Sequence, residues 1–156
     1  MNIQGLSNVD SVGKRIEIKR NPLLTSLKGL DQISTLSEFL IIWDNASLEN
    51  LDGLVAVRQV GNLLLSHNTS LTQTNLHNLS RIEYEFIMSG NNDLENLDGF
   101  SNLNFVGYGL EITQNMNLSN FCSLQTLVQN GFNGEYNVLD NALNPSQTDL
   151  FEGKCE

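Results

Sequence analysis

Residues 110–118 read LEITQNMNL. Leu110 and Ile112 alternate with polar neighbours, the period of a short strand. Asn115 follows Ile112 by three residues, and Leu118 follows by three more. The same figure recurs as Ile16, Ile18, Asn21, Leu24; as Leu40, Ile42, Asn45, Leu48; as Leu63, Leu65, Asn68, Leu71; and as Phe86, Met88, Asn91, Leu94. A sixth copy, Tyr136, Val138, Asn141, Asn144, is degenerate at its last position. Successive asparagines are 24, 23, 23, 24 and 26 residues apart. A figure repeated at such a period marks a repeat architecture rather than a single globular pattern.

Within one unit the apolar residues after the strand are Leu48, Leu51, Leu54, Val57 and Val60, one in every three. Neither a strand nor a helix has that period. It fits a coil that turns a corner every few residues and sends one side chain inward each time. A single coil cannot bury its own apolar residues, but a stack can, with its strands paired in parallel about 4.8 Å apart. The expected fold is therefore all-β, a parallel β-helix of about 23–24 residues per coil. Asn21, Asn45, Asn68, Asn91, Asn115 and Asn141 should form an inward ladder, since an amide satisfies main-chain groups stranded at a sharp corner. Asn45, Asn68, Asn78 and Asn117 also match the N-x-Ser/Thr acceptor pattern, which is frequent by chance in an asparagine-rich chain. The fourth unit, LTQTNLHNL, is one residue short, so a looser coil is expected near residues 72–78.

The phrases SLENLDGL, DLENLDGF and LLTSLKGL, each following an asparagine and set between strands, resemble the receptor L-domain repeat. The resemblance covers roughly residues 5–141. It rests on a leucine three residues after the asparagine, where ordinary leucine-rich repeats place it two after. It implies a right-handed solenoid of the kind found in insulin- and epidermal-growth-factor-type receptors and in secreted or surface leucine-rich-repeat-like proteins of bacteria. The tail, FCSLQTLVQNGF through NPSQTDLFEGKC, is more similar to the end segment of the bacterial members. No functional residue of the receptors can be matched, so growth-factor binding does not carry over.

Residues 1–120 make up the repeats and residues 121–156 a capping segment of the same domain. Ile3, Leu6, Val9 and Val12 already keep the period of three, so the first coil lacks a cap, and upstream sequence, a partner or a second copy should cover it. At the other end, residues 122–129 have the pattern of one or two helical turns stopped by Asn130-Gly131. Asn144-Pro145 resembles a second helix start, with proline in the first helical position. Cys122 and Cys155 flank the one segment that breaks the repeat. A bridge between them would tie the cap to the body, at roughly 3 kcal/mol or somewhat more.

With 8 basic and 18 acidic residues the net charge is −10, which argues against a nucleic-acid partner. No run of apolar residues is long enough to span a membrane. The first 20 residues lack the apolar core of a signal peptide, so the chain is either cytosolic or a mature part or fragment of an exported protein. Catalytic motifs are absent: there is no GxSxG, HExxH, P-loop or GxGxxG. His67 and His77 have no third ligand at metal spacing. Asp52 with Glu49, and Asp98 with Glu95, repeat with the coil as a solvated column, without the ligand density of a calcium loop. Neither a cofactor nor a metal is expected, and no enzymatic activity. Ice binding would want regular outward threonine columns, which Thr25, Thr72 and Thr113 do not make.

If Leu40 and Ile42 point in, then Phe39, Ile41 and Trp43 point out. Asn62, Leu64 and Ser66 follow on the next strand, then Glu85, Ile87 and Ser89. Phe39, Ile41, Trp43, Leu64 and Ile87 thus form an apolar patch on the outward face. It is rimmed by Arg15, Glu17 and Lys19 on one side and by Glu111 on the other. Such a patch marks either a ligand surface or a contact with another copy. The resulting expectation is a secreted or cell-surface, non-catalytic binding or adhesion module for a protein or carbohydrate. The alternative is a structural unit joining chains through this face or its open first coil.

Overall fold

The computed structural model describes residues 3–156; residues 1 and 2 of the repeat region lie outside the described residues. Eight strands make one parallel sheet: β1 (Ile16–Lys19), β2 (Thr35–Trp43), β3 (Gln59–Ser66), β4 (Arg81–Ile82), β5 (Glu85–Ser89), β6 (Phe105–Val106), β7 (Gly109–Thr113) and β8 (Glu135–Leu139). The main path runs β1-β2-β3-β5-β7-β8, with β4 beside β3 and β6. The register pairs Ile16 with Leu40, Leu40 with Leu63, Leu63 with Phe86, Phe86 with Leu110 and Leu110 with Tyr136. These are the same steps that separate the asparagines.

Hydrogen bonds between residues three apart explain the period of three. Leu48 N–H donates to the Asn45 carbonyl at 3.0 Å, Leu54 to Leu51 at 2.8 Å and Val57 to Leu54 at 3.0 Å. Each link is a tight turn that brings the next apolar side chain inward. Leu48, Leu51, Leu54, Val57 and Val60 are all fully buried. The core they share with the inward strand residues includes Phe86, packed 4.8 Å from Phe100 between ring centres.

The asparagines form a continuous ladder. The main-chain N–H of Asn45 donates to Asn68 Oδ1 at 3.2 Å, that of Asn68 to Asn91 at 3.1 Å, and that of Asn91 to Asn115 at 3.0 Å. Each side-chain amide also donates back to the preceding repeat: Asn45 to the Ile18 carbonyl, Asn68 to Ile42, Asn91 to Leu65. Strict alternation from Ile42 would aim Asp44 inward and Asn45 outward. The residue before every ladder asparagine reverses this by taking a left-handed conformation. It is Arg20, Asp44, His67, Gly90, Gln114 or Asp140, with φ between 56° and 66°.

Asn144, degenerate as a repeat residue, has a role of its own. Its Oδ1 accepts from Asn141 N at 2.9 Å and from Asn141 Nδ2 at 3.1 Å. It supplies the acceptor that a further ladder asparagine would offer.

Two local expectations need correction. The shortened fourth repeat is tightened rather than looser. Thr74 and Leu76 are buried in the inward columns, and a single left-handed Asn75, donating to Asp52 Oδ1 at 2.6 Å, takes the place of two residues. The Thr74 hydroxyl is buried there with no partner among the described residues. In the cap, α1 (Gln125–Gln129) ends at left-handed Gly131, and α2 (Gln147–Phe151) ends at left-handed Gly153. However, α2 starts from Ser146, which forms a capping box with Asp149, so Pro145 precedes the cap instead of opening the helix. The Cys122–Cys155 disulfide is formed, with the two Cα atoms 4.9 Å apart.

Candidate functional site: the outward sheet face

Register places Ile41 beside Leu64 and Leu64 beside Ile87, on adjacent strands and one face. Phe39 lies opposite Asn62 and Trp43 opposite Ser66, so all five apolar residues share β2, β3 and β5. They are less bare than alternation alone implies. Phe39 is 38% exposed, while Ile41, Trp43, Leu64 and Ile87 are half-buried by their cross-strand neighbours. The guanidinium of Arg20 lies 4.7 Å from the centre of the Trp43 ring and covers part of it. Ser66, expected outward, is buried and accepts from the Ser89 hydroxyl at 3.0 Å. Thr113, at the equivalent place on β7, is buried too.

The charged rim is organised. Lys19 Nζ lies 2.6 Å and Arg15 Nε 3.3 Å from the Glu17 carboxylate. The hydrogen bond from Lys19 outweighs desolvation and, with the charges of Lys19 and Arg15, holds the Glu17 carboxyl below the usual carboxylate range. Beyond Ile87, Gly109 lacks a side chain between Glu85 and Glu135, which leaves a notch of about 260 Å³. Three carboxylates, Glu85, Glu111 and Glu135, border it. Among the described residues no cluster of His, Cys, Asp or Glu is arranged to hold a metal ion, and no helix is long and apolar enough to cross a membrane.

The first repeat presents a second apolar surface. Ile3, Leu6, Val9, Val12, Ile16 and Ile18 line a depression of about 390 Å³ beside the outer edge of β1. Sequence alternation located the patch and its rim. The Arg20 contact with Trp43 was beyond it, because it depends on the left-handed turn at Arg20. The ladder asparagines Asn45 and Asn68 are fully buried, so in the folded protein neither can carry a glycan. Compared with family models, with curated proteins and with solved structures, the chain matches none.

Proposed function

We propose that the protein is a non-catalytic binding or adhesion module of the cell exterior. Its repeats are read as a right-handed parallel β-helix that presents the outward sheet face to a protein or carbohydrate partner. The observation that carries this reading is the continuous apolar strip across β2, β3 and β5, in register and rimmed by charge. Rimmed apolar strips of this kind belong to contact surfaces. The disulfide supports an oxidising location, and the receptor L-domain-like repeat phrases support the same setting.

A second reading, an assembly unit that joins copies of the chain, is favoured by the apolar depression at the first repeat and the edge of β1, beside which no further strand lies among the described residues. The variant Ile41→Asp/Leu64→Asp separates the two. Charge on a desolvated contact costs several kcal/mol, so the pair should fold, remain soluble and lose adhesion to cell and matrix surfaces. Loss of a dimer in sedimentation instead would favour the assembly reading. A variant that folds and retains both properties would refute the role of this face. Failure to fold would place the strip in the core.

A further inference from the structure

Each repeat turns its corner on a left-handed residue, and five of these carry side chains. Arg20, Asp44, His67, Gln114 and Asp140 sit at φ 56–58°, and Gly90 sits at 66°. Glycine in such a place is ordinarily required by the backbone. Here it is not, because five other residues make the same corner with a Cβ. Main-chain contacts do not require it either. A Cβ on Gly53, Gly61, Gly107 or Gly134 would run into main-chain atoms of the preceding repeat, whereas the atoms nearest to one on Gly90 are those of the exposed His67 imidazole, at 3.3 Å and beyond, a side chain that has to shift only slightly. The main chain therefore does not account for the absence of a side chain at residue 90.

The gap opens a depression of about 640 Å³ along the corner. His67 and Gln114 flank it on the neighbouring repeats. Thr69 and Asn92 form its second row, and Asp140 and Met116 close the far end. The side chains of His67, Thr69, Asn92, Gln114 and Asp140 make no hydrogen bond to the protein among the described residues. Ladder amides a few ångströms deeper are fully engaged: Asn91 Nδ2 donates to Leu65 O, Ser89 O and Asn115 Oδ1. Unused hydrogen-bonding capacity is thus gathered around one vacancy.

We propose that this notch binds a neutral saccharide unit. Two primary amides, a hydroxyl, an imidazole and a carboxylate offer paired donors and acceptors of the kind that match vicinal hydroxyls. Met116, 64% exposed, and the His67 ring supply apolar walls for the C–H face of a sugar. An anion is opposed by Asp140 and by a net charge of −10. A cation finds one carboxylate only, and an apolar ligand would desolvate five polar groups without return. The site shares with the preceding section the premise of a binding module, but it lies on a different surface.

The probe is an array of defined neutral oligosaccharides built on glucose, galactose, mannose and N-acetylglucosamine, followed by calorimetric titration of the full chain with the saccharide that binds. Gly90→Gln restores the side chain that the other corners carry and fills the vacancy. Asn92→Ala/Gln114→Ala removes two exposed amides without touching the backbone. Both variants should fold and weaken binding at least tenfold, while Ile41→Asp/Leu64→Asp binds as before. Absence of any neutral ligand on the array, or undiminished binding by both notch variants, overturns the inference. Binding lost only in the sheet-face pair also overturns it, and leaves the sheet-face reading standing.

Discussion

Replacing Asn68 by alanine probes the ladder at its centre. Its side chain is fully buried. It donates to the Ile42 carbonyl at 2.9 Å and to Asn91 Oδ1 at 3.3 Å, and it accepts from Asn45 N at 3.2 Å and Asn45 Nδ2 at 3.1 Å. Asn45 Nδ2 keeps the Ile18 and Trp43 carbonyls, and Asn91 Oδ1 keeps the Asn68 main-chain N–H. Two groups lose the most: the Asn45 N–H and the Ile42 carbonyl. The Asn45 N–H is left unpaired, at about 1–3 kcal/mol, while the Ile42 carbonyl, which keeps its place in the strand ladder, loses a hydrogen bond worth about 1 kcal/mol, so Asn68→Ala should cost about 2–4 kcal/mol. Asn144→Ala removes the exposed last acceptor, which water replaces, and should cost less than about 1 kcal/mol.

Asn68→Asp adds a test of sign. It keeps the acceptor for Asn45 but sets a carboxylate against two acceptors, Ile42 O and Asn91 Oδ1. Burial and that repulsion raise the carboxyl pKa of the folded state above its unfolded value of about 4. The penalty is then absent below about pH 4 and grows as pH rises through the folded value. Urea unfolding without reductant, followed by circular dichroism, measures all three variants. A cost below about 1 kcal/mol for Asn68→Ala, or one equal to that of Asn144→Ala, would refute the account of the ladder.

Reduction of the Cys122–Cys155 bridge, whose cysteines are 33 residues apart in sequence, should lower stability by roughly 3–4 kcal/mol; an unchanged urea midpoint in dithiothreitol would show that the cap holds without it. Tyr136 donates to the Pro145 carbonyl at 2.7 Å, and burial, followed by the charge of Asp149, pushes its phenol well above the ordinary value. The folded state thus holds this proton more tightly, so its contribution is intact below about pH 10 and is lost as pH rises further. Tyr136→Phe should cost about 1 kcal/mol at neutral pH and flatten that alkaline loss; an unchanged slope above pH 10 would count against the assignment.

The parallel sheet, its register and the buried asparagines were legible because each repeat states them again. Leu40, Leu63, Phe86 and Leu110 are all apolar and share one place relative to an asparagine. The strand-reversing corner was less legible. Asp and His tolerate the left-handed region, but Arg20 and Gln114 give no such signal, and the conformation is imposed by the ladder asparagine that follows. The role of Asn144 was hidden because it acts as a ladder acceptor at a position where the repeat has leucine. The outward patch followed from alternation, whereas its half-burial depends on how closely Leu64 and Ile87 stand across strands. The Gly90 notch gave no sequence signal, because a glycine in a glycine-rich repeat is distinctive only once its neighbours' contacts are known.

The strand order also fixes how the molecule answers to pulling. β1 and β8 are the two edges of the main path, and the segment after β8 returns to lie against Phe121 and Cys122. Tension between the ends therefore loads the inter-strand hydrogen bonds in series and peels the sheet a strand at a time, from the β1 edge. Each repeat that detaches frees about 80 Å of contour, at roughly 3.4 Å per residue. At the other edge the Cys122–Cys155 bridge keeps the segment containing β8 from paying out, whatever the force below bond rupture. A tether built this way would lengthen in steps of one repeat and keep its last loop closed.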